Sequence, residues 1–419
     1  MKILFISLGC DKNLVDSEVM IGMLNQQGYQ MTDEEEEADI IVINTCCFIN
    51  DAKEESIQTI LEMAQYRKEG KCRALIVTGC LAQRYQKEIL DEIPEVDAVL
   101  GTTTYDEIVS TVTSVLEGQK VLKCYDLDRM PQTDTKRIVT TGGHFAHLKI
   151  AEGCNKHCTY CIIPKIRGNY RSVPMEKLLK EAQELADQGV KELILVAQET
   201  TLYGIDLYGE KSLHKLLREL CKIKGIRWIR ILYCYPEEIY EELIQTIKEE
   251  RKICHYLDLP IQHASDRILK RMGRRTTRQD LIKTIERLRE EIPDIVLRGV
   301  DEMEFERLGV FTYSAEENTP AAEFADQVDE ETKLDRQAEL MELQQEIAFA
   351  CAEEMVGKTV IAMIEGKVAD ENAYVARTYA DAPNIDGYLF VNTGETLMTG
   401  DFVRVKITGA LEYDLIGEI

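Results

Sequence analysis

At 419 residues with 45% hydrophobic content, the chain has room for two or three domains with buried cores. No apolar run is long enough to span a bilayer, and the first residues read as a strand, so no membrane partner is expected. A net charge of -25 argues against a nonspecific grip on nucleic-acid phosphates and favours a basic protein partner. Thirteen cysteines without a secretion signal predict a reducing, cytoplasmic setting and metal or redox roles rather than disulfides.

The chain opens with alternating strands and helices. Strand-like runs fall at 2–7, 40–44, 74–78 and 98–100, and helical patterns at 15–27, 52–68, 83–91 and 105–116. These predict an α/β sheet domain over residues 1–125. A polar stretch at 126–141 with Pro131 reads as a linker. Further strands follow at 147–151, 192–197, 228–233, 256–260, 295–298 and 308–313. They alternate with helices at 175–188, 213–222, 237–249, 266–272 and 278–291, which predicts a (β/α) barrel or partial barrel over 140–329. A helix at 330–351 lies in a linking segment, 330–354. It leads into a β-rich tail, 355–419, which reads as a small barrel.

Cys154, Cys158 and Cys161 form C-x-x-x-C-x-x-C just after the first strand of the central series. Three thiolates can hold three irons of a 4Fe-4S cube and leave the fourth open to a small molecule. The competing reading is zinc with His157 as fourth ligand; its place directly before Cys158 makes a tetrahedral wrap awkward. Cys10, Cys46 and Cys80 each sit just past a predicted N-terminal strand. Parallel strand ends share one sheet edge, so these three can meet and hold a second open-iron cluster; buried free cysteines are the bland alternative. The remaining cysteines show no ligand spacing.

With these residues stand longer runs: residues 7–17 (SLGCDKNLVDS), 198–204 (QETTLYG), 259–263 (LPIQH) and 377–387 (RTYADAPNIDG). On them the chain resembles the radical S-adenosylmethionine (SAM) methylthiotransferases, in particular the branch that modifies an aspartate of a small-subunit ribosomal protein. The resemblance implies an N-terminal methylthiotransferase domain, a radical SAM barrel and a C-terminal TRAM domain. It also implies two 4Fe-4S clusters, SAM, and a one-electron donor such as flavodoxin or ferredoxin. Cys154, Cys158 and Cys161 would hold the SAM-cleaving cluster, and Cys10, Cys46 and Cys80 the auxiliary one. No catalytic side chain is expected beyond these ligands. Tyr160 would pack on adenine or in the core. Gln198, Glu199 and Gln262, after the second and fourth central strands, would bind polar groups of SAM or substrate, Glu199 standing where the branch usually has Asp.

The sister branch modifies a tRNA adenosine and shares both cysteine sets. The tail from Met355 carries ten acidic and five basic residues, which favours a basic ribosomal protein over RNA. One feature departs from the family. Between the strands expected at 295–298 and 308–313 lie only nine residues, 299–307, below the roughly 10–12 that a helical crossover needs. The resemblance implies a longer segment here. A truncated barrel near Arg298–Gly299, and an inactive iron–sulfur homologue, is therefore the non-catalytic alternative.

Overall fold

The computed structural model describes residues 1–132, 136–299, 305–369 and 371–419. They form two compact units. One comprises Met1–Thr140, Glu152–Arg171 and Ser314–Glu323, and the other Thr141–Ala151, Ser172–Tyr313 and Phe324–Ile419.

The first unit is built on β1 (Lys2–Ser7), α1 (Asp11–Gln26), β2 (Gln30–Thr32), β3 (Ile40–Thr45), α2 (Asn50–Glu69), β4 (Ala74–Gly79), α3 (Cys80–Tyr85), α4 (Lys87–Glu92), β5 (Ala98–Leu100), α5 (Ile108–Leu116) and β6 (Val121–Lys123). All six strands are parallel, in the order β2-β1-β3-β4-β5-β6. β3 and β4 are buried along their whole length, as strands covered on both faces by helices must be. The order reverses between β1 and β3, the point where such sheets open a crevice at their carboxyl ends.

Two expectations change here. The helix expected at 83–91 is two helices, α3 and α4, because Gln86 takes a φ of 41° and breaks the ladder. The described part of the expected linker is not loose. Ile138 N donates to Glu18 O, Thr140 N donates to the Glu18 carboxylate at 2.7 Å, and the Lys136 carbonyl lies against Gly22 of α1. Residues 133–135 lie outside the description.

The second segment contributes β7 (Phe145–Lys149), β8 (Ala151–Glu152), α6 (Ile163–Arg167), β9 (Arg171–Ser172), α7 (Met175–Asp187), β10 (Glu192–Val196), α8 (Ile205–Tyr208), α9 (Leu213–Cys221), β11 (Trp228–Ile231), α10 (Glu241–Glu249), β12 (Ile253–Asp258), α11 (Asp266–Arg271), α12 (Arg278–Glu291), β13 (Val296–Gly299) and β14 (Arg307–Leu308). Strands β7, β10, β11, β12, β13 and β14 lie side by side in chain order, all parallel, as in the arc of a (β/α) barrel. The strand expected at 308–313 is only two residues long, an edge strand paired to β13 alone. Residues 300–304 of the short join lie outside the description.

After α13 (Glu330–Glu353), strands β15 (Thr359–Lys367), β16 (Ala373–Arg377), β17 (Leu389–Asn392), β18 (Phe402–Leu411) and β19 (Asp414–Glu418) close into a five-stranded barrel. Its Met363 and Ala382 join Phe145, Ile194, Val196, Trp228, Leu232, Cys254 and Tyr256 in one buried cluster on a face of the central sheet.

Beside that cluster lies a buried charge network. Glu192 accepts from Arg230 Nε at 2.8 Å and from Arg377 Nη2 at 2.7 Å, and all three side chains are fully buried. Arg377 also donates to Glu365 (2.8 Å) and to the Asp381 carbonyl (2.9 Å), and Arg307 donates to Asp381 at 2.7 Å. The tail motif at 377–387 thus fastens the barrel to the sheet. Burial raises the Glu192 pKa, but Arg377 and Arg230 outweigh it and hold the carboxyl below its ordinary value.

Glu192→Gln is expected to cost about 3–5 kcal/mol, because it leaves buried guanidinium charge uncompensated; urea unfolding measures it. A depressed carboxyl contributes stability above its unfolded pKa of about 4.3 and loses it as pH falls through the folded value. The parent should therefore lose more stability than the variant as the pH is taken below about 4.

Candidate functional site

The first unit brings the six singled-out cysteines into one body. Cys10 follows β1, Cys46 follows β3, and Cys80 follows β4 as the first residue of α3. Cys10 and Cys46 therefore flank the point where the strand order reverses. Cys46 and Cys80 are buried and Cys10 is half-buried. All are free thiols; burial and then the nearby Cys10 raise the pKa of Cys46, and burial and then the nearby Cys46, Cys47 and Cys10 raise that of Cys80.

Two glycines make this approach possible. Gly9, at a φ of 84°, precedes Cys10, and a Cβ there would stand 2.5 Å from Cys46 Cβ and 2.8 Å from its sulfur. Gly79, at a φ of 92°, precedes Cys80, and a Cβ there would meet Asn44 Oδ1 at 2.3 Å and the Thr45 carbonyl at 2.5 Å. Only glycine both adopts that backbone and leaves that space.

Polar side chains brace the same turns. Asn13, fully buried in α1, donates from Nδ2 to the carbonyls of Leu8 and Thr45, both at 3.0 Å. Asn44 Nδ2 donates to the Asn13 carbonyl (2.8 Å) and Ser17 Oγ (2.9 Å). Ser56 clamps Cys46 at both backbone atoms: Cys46 N donates to its Oγ at 3.0 Å, and that hydroxyl donates to Cys46 O at 2.8 Å. Cys47 is buried, and desolvation pushes its thiol up to about 11. Arg84 donates to its carbonyl at 3.3 Å.

The loop bearing Cys154, Cys158 and Cys161 follows β7 in the chain but packs within the N-terminal unit. Ile162 and Ile166 join the cluster that holds Cys47, Cys80 and Leu81, and Thr102 Oγ1 donates to the Ile166 carbonyl at 2.8 Å. Cys154 and Cys158 are buried and Cys161 is half-buried. Burial, then the neighbouring Cys158 and Cys154, push the Cys161 thiol up to about 12. His157 is exposed at a φ of 50°, unlike the buried thiols it would have to join around zinc. Among the described residues no three His, Cys, Asp or Glu side chains converge tightly enough for a single metal ion.

The other expected residues divide between the units. Tyr160 is half-buried on the cysteine loop. Gln198 and Glu199 follow β10, and Gln262 follows β12, in the second unit. Glu199 is fully buried, and its Oε1 accepts from Thr201 N (3.0 Å) and from the Thr201 hydroxyl. Thr200 Oγ1 donates to Leu232 O at 2.8 Å, tying that turn to the end of β11. Gln262 has a φ of 71° and donates to the Pro260 carbonyl at 3.3 Å. His263 Nδ1 accepts from Ser265 N at 2.9 Å, a turn-closing bond.

Sequence reasoning missed Arg167, Asn13, Ser56 and the Asp258–Arg298 pair at the ends of β12 and β13, 3.0 Å apart. None carries a spacing signal, because each acts through partners distant in the chain.

Comparison with known proteins divides the chain into three stretches. The profile described as uncharacterized protein family UPF0004 matches residues 2–101, the Radical SAM superfamily profile residues 148–308, and the TRAM domain profile residues 356–419. This order defines a radical SAM enzyme with an N-terminal α/β domain and a C-terminal TRAM barrel. A relative from Lachnoclostridium phytofermentans, ribosomal protein uS12 methylthiotransferase RimO, is 61% identical over 437 positions, covering 100% of this chain and 99% of its own length. The protein of the same name from Clostridioides difficile is 47% identical over 439 positions, with 100% and 99% covered. The chain belongs to the uS12 methylthiotransferase RimO family. A radical SAM methyltransferase, TsrM, from Kitasatospora setae shares the fold at a TM-score of 0.51 and 13% identity, over 88% of this chain and 79% of its own. The Lachnoclostridium alignment runs to 437 positions against 419 residues here, so that relative has at least 18 positions with no counterpart.

Gly79→Ala is expected to destabilise the protein by more than about 1 kcal/mol, beyond the strain of the backbone alone. Gly118→Ala is the control, since Gly118 has a φ of 87° and nothing near its missing Cβ. Equal urea midpoints for the two variants would contradict the close approach described.

Proposed function

We propose that this chain methylthiolates the β-carbon of an aspartate in ribosomal protein uS12. The reading is carried by two sets of three cysteines, none of them in a disulfide, braced within one compact unit. A donor set of three thiols, without a fourth ligand of its own, fits a 4Fe-4S cluster with one open iron. Cys10, Cys46 and Cys80 would hold the auxiliary cluster, and Cys154, Cys158 and Cys161 the SAM-binding one. When bound, these groups and SAM supply hydrogen-atom abstraction from an unactivated C–H bond and a methylthio donor, chemistry that no side chain provides.

The chain's own residues do the holding. Ser56 fixes the Cys46 backbone, and Asn13 fixes the backbone just before Cys10 and Cys46. Burial of Cys46, Cys80, Cys154 and Cys158 keeps water from the thiolates. Tyr160 would stack on adenine. Gln198, Glu199 and Gln262 would bind polar groups of SAM or substrate at the carboxyl ends of β10 and β12. A one-electron donor such as flavodoxin or ferredoxin would serve the reaction. The acidic tail, ten acidic to five basic residues from Met355, suits a lysine- and arginine-rich protein better than tRNA.

The join between β13 and β14 favours a second reading. It spans only 300–306, below the roughly 10–12 residues of a helical crossover, and the chain is shorter than its relatives' alignments. In that reading the protein carries clusters without turnover.

Protein reconstituted with iron and sulfide should hold about eight irons per chain. With reductant and SAM it should form 5′-deoxyadenosine, and it should add a methylthio mass to uS12 but not to tRNA. Replacing Cys154, Cys158 and Cys161 with alanine should abolish the 5′-deoxyadenosine; persistent product would overturn their assignment. A full iron complement without 5′-deoxyadenosine would select the second reading.

A further inference from the structure

Arg167, at the end of α6, has a side chain only 2% exposed. Its Nε donates to Cys80 Sγ at 3.4 Å. Nη1 donates to Asp16 and Glu152, both at 3.1 Å, and Nη2 donates to Asn13 Oδ1. Three of these four partners lead to a cysteine. Asn13 braces the turns at Cys10 and Cys46, Glu152 stands two residues before Cys154, and Cys80 is contacted directly.

A guanidinium sealed from water is costly unless its donors and charge are matched. Asp16 and Glu152 already supply two carboxylates for one cation. The sulfur contact is therefore not needed to balance the charge. Hydrogen bonds to cluster sulfurs stabilise the more negative, reduced state and so raise the reduction potential.

We propose that Arg167 is a positioning residue of the auxiliary centre: it donates a hydrogen bond to the Cys80 thiolate, holds up the reduction potential of the cluster bound there, and ties that thiolate to the turn bearing Cys154. The inference rests on the reading that Cys10, Cys46 and Cys80 hold a cluster.

The test uses the full chain with Cys154, Cys158 and Cys161 replaced by alanine, reconstituted with iron and sulfide, so that only the auxiliary centre reports. About four irons per chain are expected. With arginine labelled with nitrogen-15, pulsed electron paramagnetic resonance of the reduced cluster should show a nitrogen-15 coupling. The coupling should vanish in Arg167→Lys, which keeps the charge and removes the guanidinium. In Arg167→Gln the reduced-to-oxidised ratio at the parent's midpoint should fall roughly tenfold, a shift of about 59 mV for one electron. Arg167→Lys should recover part of that shift. A merely structural arginine would change iron retention or thermal stability and leave the midpoint in place. Iron retained with no coupling, or an unmoved midpoint in Arg167→Gln, would overturn the role of Arg167. Where Arg167→Gln does not retain iron, the labelled protein with Arg167 intact decides. Absence of iron with Arg167 intact would overturn the cluster reading, and this inference with it.

Discussion

The carboxyl edge of a parallel sheet is crowded, and three cysteines can share it only if the backbone before them gives way. At Gly9 and Gly79 it does. Each takes a left-handed conformation, and each has backbone or side-chain atoms where a Cβ would stand. That constraint organises the N-terminal unit around it. Asn13 and Ser17 of α1 and Asn44 of β3 stand beside the cysteines as hydrogen-bonding posts rather than as apolar core. The hydrophobic contacts that stabilise the sheet lie deeper, along β3 and β4. The same buried cluster takes in Cys47 and Cys80, so the core runs up to the site itself.

Both units place arginine where burial is expensive. Arg167 in one, and Arg230 with Arg377 in the other, are each fully buried. Removing one partner from such a network is far worse than never having built it, so the networks resist drift and select one geometry. In the second unit that geometry fastens the small barrel to the sheet. In the first it links residues from α1, α3, α6 and β8, which no single hydrophobic contact orients as sharply.

Much of this was legible. The period of apolar residues marked most strands and helices; cysteine spacing singled out one triad, and position just past the predicted strands the other. The motifs behind the resemblance turned out to differ in kind. Residues 7–17 brace the cysteine edge, and 377–387 fasten the barrel. Neither role can be read from the residues alone, because Asn13 and Arg377 act on groups far away in the chain. The break at Gln86 was also hidden, since a single positive φ leaves the helical pattern of its neighbours intact. The stretch at 126–141 looked like a linker because it is polar, yet Thr140 and Ile138 bond to Glu18. Composition reports solvent preference, not which backbone groups find partners.

By itself the sequence determined the strand–helix alternation, the thiol chemistry and the short join, because periodicity, ligand spacing and chain length are local quantities. Only the tertiary structure decided that Cys10 and Cys46 flank the reversal of strand order, that the Cys154 loop packs with the N-terminal sheet, and that Arg167 reaches Cys80. These depend on strand order and on the burial of charge. Both emerge when distant segments compete for the same edge and the same shelter from water.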